Sequence, residues 1–446
     1  MSGKPVSAGP VRSEGARAVP EGASAVPEGA SAVPEGGFFS SRWVQVGEHV
    51  RELPGGLPAG FRASGVACGI KPSGGRDLGL LVCDSPEPAS AARFTVSGVL
   101  AAPVLLTQER TRIDSLRALV VNSGNANAAT GRRGLDEAAR MQGAAAMACG
   151  VPEDRVAVAS TGVIGVQLPG DRIIAGVRAA AAELRSDGDG DLAAAMVTTD
   201  AFEKRAALEV ELEGGTVRLS AQAKGAGMIS PRFATLLCFV QTDAALERHT
   251  ADLLVGVCVK RSFDRISVDG QLSTNDTVLL MCSGASGVSV APESADEVRL
   301  GEALDALLRQ LALLIVRDGE GAARIGRVVV YGGEAAAVEA SGRAVANSPL
   351  VKAALHGADP NWGRIAQAVG MAMPGTAPLP LDISIEGVEV CAGGQAVPFD
   401  QEGLDRAVRR EEVEYVVGLP GTGAETEVFF SDLSHQYVTI NAEYTT

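Results

Sequence analysis

The sequence predicts a layered α+β fold. Short apolar strands outnumber helices, and they arrive as hairpins and runs rather than in strict β–α alternation. No P-loop occurs. Gly225-Ala226-Gly227 supplies two glycines of a dinucleotide loop but lacks the third, and it opens a strand rather than a helix. Both facts argue against a doubly wound, nucleotide-binding sheet.

At 446 residues the chain is long enough for two or three domains, or one bipartite one, around a large core. A hydrophobic content of 46% and a charged content of 21% are those of an ordinary globular protein. Aromatics make up only 4%, so the core must rest on Ala, Val, Leu and Ile. The formal charge of −15 argues against a nucleic-acid partner, which selects a basic face. Seven cysteines, an odd number with no C-x-x-C pair, predict reduced, mostly buried thiols in a cytoplasmic protein rather than disulfides or a zinc site. The four histidines, His49, His249, His356 and His435, form no ligand-like pair. No metal is therefore expected, and a Ser-His-Asp hydrolase is poorly supported. No run of about 18 uncharged apolar residues is present, so no membrane partner is expected.

Residues 1–37 repeat Ala-Val-Pro-Glu-Gly three times and predict a disordered tail, because Pro and Gly in every repeat forbid a continuous helix. From Phe38 the composition becomes globular. Gly65 to Asp84 reads as strand, turn, strand around Pro72-Ser73-Gly74-Gly75. Ala92 to Val104 continues in β-like pieces, and Ala118 to Val121 is a buried strand. It enters Asn122 to Gly131, a loop crowded with amide side chains that reads either as a turn capping the helix Gly134 to Cys149 or as a pocket wall. The strand Val156 to Ala159 ends in Ser160-Thr161-Gly162. A strand ending in Thr-Gly can offer a hydroxyl and a backbone N–H together, the donor pair an oxyanion needs, although an ordinary turn has the same pattern.

Helical pieces at Gly170 to Arg185 and Leu192 to Met196 precede a hairpin, Ala206 to Leu212 with Val217 to Ala221. Helices follow at Asp252 to Arg261, Leu300 to Val316, Glu334 to Val345 and Gln401 to Arg410, and Val351 to Leu355 is helical or extended. Strands are expected at Arg265 to Gly270, Val278 to Met281, Val328 to Tyr331, Leu381 to Ile385, Val388 to Cys391 and Glu425 to Phe430. His356 to Arg364 reads as a dense turn, and the apolar end of the chain as a strand that ties down the C-terminus.

One stretch stands apart. Lys224 to Ala244 begins as a polar glycine loop and becomes an apolar run at Ala234-Thr235, with a lysine eleven positions before the hydroxyl. On pattern alone this is a loop entering a buried strand. The alternative is that the Ala234–Thr235 bond is cut, which would make Thr235 an N-terminal nucleophile.

Eight motifs occur in one order: NSGNANAATG, STGVIG, TTDAFEK, KGAGMISPRFATLL, SVDGQLSTNDTV, VRDGEGA, GADPNWGRI and DLSHQYVTINAEYTT. In these the chain resembles the glutamate N-acetyltransferases of the cyclic arginine pathway, the ornithine acetyltransferases, from about residue 60 to its last residue. The resemblance implies a sandwich of largely antiparallel sheets flanked by helices. It also implies self-cleavage into an α chain ending at Ala234 and a β chain, residues 235–446, beginning with Thr235. A free α-amine has a pKa of about 7.7–8.0 against about 10.4 for lysine, so the new terminus can act as base for its own hydroxyl.

The implied turnover is ping-pong: Thr235 takes acetyl from N2-acetyl-L-ornithine and passes it to L-glutamate. Thr161 and Gly162 match the oxyanion hole, and Thr198, Lys224, Thr235, Glu320, Asn441 and Thr446 match the substrate site. Lys224 suits the α-carboxylate common to both substrates, and Glu320 the side-chain amine of ornithine. No cofactor is implied, with acetyl-CoA open as a second acetyl donor, and the two chains are expected to assemble as α2β2 or larger. An amidohydrolase or aminopeptidase on the same self-processing fold is the alternative. Departures from the family pattern stand at Arg232, Phe233, Ala129 and Ala323, and together with the N-terminal repeat they point to a specialised paralogue serving a pathway that consumes ornithine.

Overall fold

The computed structural model describes residues 37–230 and 236–443. The repeat-rich tail, Arg232, Phe233, the Ala234–Thr235 bond and Thr446 lie outside the described residues. Two sheets stacked face to face form the centre. The first has six strands in the order Val50–Leu53, Lys204–Leu212, Gly215–Lys224, Leu237–Thr242, Thr277–Cys282 and Ala89–Phe94. The second has four, Phe61–Val66, Leu78–Cys83, Ala118–Asn125 and Val156–Val163.

Leu237–Thr242 shows how the sequence builds this stack. Side chains alternate across a strand. Leu237 and Phe239 accordingly face the second sheet, among Leu81, Leu119, Val121 and Ala159. Cys238 and Val240 face the other way, against the helices Arg248–Arg261 and Ala295–Arg317. Both faces are covered, which is why the segment reads as an unbroken apolar run rather than as alternation. The second sheet is covered in turn by the helices Ala102–Arg110, Gly131–Cys149 and Gly170–Ala182 through Leu80, Val82, Val120 and Val158. The result is a four-layer order of helix, sheet, sheet, helix.

The helix Ala295–Arg317 starts where the Ser294 hydroxyl accepts the Glu297 N–H at 3.1 Å. It presents Leu300, Leu304, Leu307, Leu311 and Leu314 as one apolar stripe. A third sheet of seven strands, with Glu412–Gly418 at its centre beside Ile325–Tyr331, extends from this helix through Phe429. The helices Ala335–Ala346, Pro349–His356 and Trp362–Ala372 pack against it.

Most strand pairs are antiparallel. Leu237–Thr242 with Thr277–Cys282 is a parallel exception, joined by the crossover helix Arg248–Arg261. Strand Gly215–Lys224 pairs antiparallel with Leu237–Thr242, Lys224 opposite Leu237. The central sheet therefore takes neighbouring strands from both sides of the Ala234–Thr235 bond.

Several elements differ from the sequence expectation. Residues 102–110 form a helix with Pro103 in its first turn, where the missing N–H costs nothing. His356 to Arg364 contains the end of one helix and the start of another, whose first turn is capped by the Asn361 side chain. Glu412–Gly418 is a strand with alternating buried residues that the reading passed over. The final segment is not a strand: His435–Glu443 is a surface helix with no buried residue. Its β-branched Val438, Thr439 and Ile440 suggested a strand, but its contacts recur at helical spacing, as the cavity shows below. All seven cysteines are free thiols and five are buried.

Phe239 lies wholly inside the inter-sheet core. Phe239→Ala is expected to lower stability by ~3–5 kcal/mol, read from the midpoint of denaturant unfolding at unchanged slope.

Candidate active site

The predicted site residues converge on a cavity of about 150 Å3 at the ends of the stacked strands. Thr161, Gly162, Thr198, Lys224, Glu320 and Asn441 all line it, although they lie far apart in sequence. The predicted Thr235 and Thr446 are outside the described residues.

Lys224 is the last residue of its strand and is buried. Its ammonium donates to Thr198 Oγ1 at 2.8 Å and to Thr161 Oγ1 at 3.4 Å, so both hydroxyls are oriented by one charge. Thr161 and Gly162 sit where the strands Ala118–Asn125 and Val156–Val163 shift register at Gly124/Asn125. Gly162 has φ +129°, and a Cβ there would stand 2.4 Å from the Gly124 carbonyl carbon. Only glycine allows both that backbone and that approach.

At the other side of the cavity, Glu320 Oε2 accepts from Asn441 Nδ2 at 2.7 Å. Tyr437 and Asn441 lie one turn apart on the C-terminal helix, and both line the cavity, so the helical spacing serves the site. The Glu320 backbone N–H bonds Ala226 O at 3.0 Å. Glycine at 227 leaves room for its carboxylate, which a Cβ would meet at 2.8 Å.

Beneath the cavity lies a buried charge network that sequence reasoning did not single out. Asp200 accepts from Thr198 N at 3.0 Å, Gly225 N at 2.7 Å and Lys204 Nζ at 2.9 Å, and stands 3.6 Å from Lys224 Nζ. Lys204 also pairs with Asp318, which receives the Ala201 N–H. Burial alone would raise the Asp200 carboxyl, but Lys204 and Lys224 hold it well below the usual carboxylate range. Burial opposes the charge on Lys204, and its two carboxylates outweigh that and raise it. Asp318 goes the other way, pushed up to about 6 by burial and by Asp200 beside it, against the pull of Lys204. An Asp four residues before a Lys inside TTDAFEK was the available signal; nothing in it betrayed the partner at 318.

The amide-rich loop resolves between its two readings. Asn122 Nδ2 bonds Asn125 O, Asn127 Nδ2 bonds Gly134 O, and Asn275 Nδ2 bonds both Ala126 O and Ser160 O. These amides hold backbone in place, and from residues 122–131 only Ala126 reaches the cavity wall. Ala129 is exposed, Ala323 bonds Asp432 through its N–H, and neither lines the cavity. Among the described residues no cluster of three metal-ligating side chains occurs, and no helix is long and apolar enough to cross a membrane. A larger open groove, about 960 Å3, runs between the helices Ala335–Ala346 and Trp362–Ala372 and contains none of the predicted site residues.

Buried hydroxyls held by an ammonium, beside a glycine-opened backbone, define a site suited to stabilising a tetrahedral oxyanion. Comparison with known proteins shows the family. Residues 62–446 match the model of the ArgJ family. The arginine biosynthesis bifunctional protein ArgJ of Symbiobacterium thermophilum is 43% identical over 400 residues, covering 88% of this chain and 99% of that protein. Its counterpart in Geobacter sulfurreducens is 43% identical over 390 residues, covering 87% and 99%. Among solved structures, the ornithine acetyltransferase of Mycobacterium tuberculosis in complex with ornithine is 39% identical, covering 42% of this chain and 99% of that one, with a TM-score of 0.38. The chain belongs to the ArgJ family. Membership makes it an acyltransferase of arginine biosynthesis, with glutamate N-acetyltransferase activity.

Replacing Lys204 leaves the buried Asp318 carboxylate without its ammonium partner. Lys204→Met is expected to cost ~3–5 kcal/mol of stability in denaturant unfolding, with activity falling as well because Asp200 anchors both Lys224 and Gly225.

Proposed function

We propose that the enzyme transfers acetyl from N2-acetyl-L-ornithine to L-glutamate through an acetyl-Thr235 intermediate, after cutting itself at Ala234–Thr235. The observation that carries this reading is the polarity of the cavity: an ammonium, Lys224, on one side and a carboxylate, Glu320, with its Asn441 partner on the other. A diamino acid with a free carboxylate is complementary to both. Glutamate needs only the first.

In the first half-reaction Thr235 Oγ attacks the acetyl carbon, its proton passes to the leaving α-amine of ornithine, and the ester remains. Thr161 Oγ1 and the Gly162 N–H are the donors assigned to the oxyanion, and the Lys224 ammonium polarises the Thr161 hydroxyl. Removing one such donor typically costs ~2.7–4 kcal/mol of barrier. In the second half-reaction the amine of glutamate attacks the ester and restores the hydroxyl. The exchange as written needs no cofactor. The α chain, residues 1–234, and the β chain, residues 235–446, would stay together after cleavage, because they share the central sheet.

A denaturing gel of purified protein with N-terminal sequencing tests the reading. Two bands are expected, the smaller starting Thr-Leu-Leu-Cys-Phe; a single full-length band in an active preparation would sink it. A further expectation follows from the two ends of the cavity. Glu320→Gln should raise KM for N2-acetylornithine about tenfold and leave KM for glutamate within about twofold, since a charge-assisted hydrogen bond is lost for one substrate alone. Equal changes would overturn the assignment of Glu320.

A further inference from the structure

The end of the cavity that carries Glu320 is rich in oxygen: Asn441, Tyr437 and Asp269 line it as well. A primary ammonium has three N–H donors and no acceptor, so a site made for one offers acceptors and keeps its own donors turned away. The pair already described supplies two acceptors. Asn441 Nδ2 donates to Glu320 Oε2 at 2.7 Å and to the Tyr437 carbonyl at 3.0 Å, which commits both amide hydrogens. Glu320 Oε1 and Asn441 Oδ1 are left to accept.

Tyr437 supplies the third. It lines the cavity one turn before Asn441 on the same helix, and its hydroxyl donates to the Asp269 carboxylate. With the proton committed in that direction, the phenolic oxygen offers lone pairs and no donor. Asp269 is itself occupied with backbone: Oδ2 accepts the Met228 N–H at 2.7 Å, and Oδ1 accepts the Ile229 N–H at 2.9 Å and the Gln271 N–H at 3.0 Å. It therefore acts on the cavity through Tyr437. Burial, with Asp269 and Glu320 beside it, pushes the Tyr437 phenol up to about 12, so the hydroxyl stays protonated and oriented across the neutral range. The fold does not need this hydroxyl to satisfy a core, because the helix His435–Glu443 has no buried residue.

We propose that Tyr437 determines specificity for the acetyl donor, an inference that rests on N2-acetyl-L-ornithine being that donor. Its phenolic oxygen accepts one N–H of the side-chain ammonium, and Glu320 Oε1 and Asn441 Oδ1 accept the other two. Asp269 is the positioning residue: it draws the phenol proton away from the ligand. A carboxylate alone would take any cation, a planar guanidinium included, in bidentate fashion. Three acceptors on separate side chains suit a tetrahedral ammonium instead, and they leave oxygen facing oxygen if an anionic side chain enters the same end.

Initial rates test this with purified wild type, Tyr437→Phe, Glu320→Gln and the double variant, each substrate varied in turn while the other saturates. Phenylalanine keeps the ring on its surface helix and removes the oxygen alone. Tyr437→Phe is expected to raise KM for N2-acetylornithine ~10-fold and KM for glutamate less than ~2-fold, since one hydrogen bond to a charged group is lost for the donor only. Both side chains hold one ammonium, so the double variant is expected to raise KM for N2-acetylornithine well short of the product of the two single effects. An equal rise for both substrates would overturn the inference and leave Tyr437 a clamp for the helix. So would an unchanged KM for the donor, or single effects that simply multiply. Wild type that releases no ornithine from N2-acetylornithine would instead remove the reading of the donor itself, independently of any substitution.

Discussion

Asp200 accepts two backbone N–H groups and the Lys204 ammonium and lies beside the Lys224 ammonium, all out of reach of water. Removing four charged side chains from solvent costs several kcal/mol for each unless partners replace the water. Here the partners are one another, with Asp318 closing the set from the end of the longest helix. The loop at 198–201, two strand ends and a helix terminus are thereby fixed at one point. Every cavity residue on the Lys224 side is set by that point: Thr198 and Thr161 point as they do because the Lys224 ammonium bonds their hydroxyls.

The glycine loop is managed by the same device. Asp200 holds Gly225, Asp269 holds Met228 and Ile229, and Asp276 holds Leu236, each through backbone nitrogens. Glycines give the loop its freedom, and three carboxylates on three different elements take that freedom away.

Much of this was legible in the sequence, for identifiable reasons. The hairpin at 204–224 and the helix at 295–317 announce themselves because their periods, two and 3.6, are local. The misread segments are those where local signals conflict. Residues 102–110 carry a proline that suggests a break, yet it sits in the first turn, where it is tolerated. Residues 435–443 carry β-branched residues, yet they form a helix whose Tyr437 and Asn441 reach the cavity together. The loop at 122–131 read either as a helix-capping turn or as a pocket wall, and its amides bind the protein's own backbone.

By itself the sequence determined most of the run of strands and helices, and the family, because each of these is written in short stretches. Only through the family resemblance did it group Thr161, Lys224, Glu320 and Asn441, and nothing in it paired Lys204 with Asp318. Those pairs stand 63, 121 and 114 positions apart along the chain. Only the stacking of the two sheets, with the long helix ending beneath them, brings them within hydrogen-bond distance.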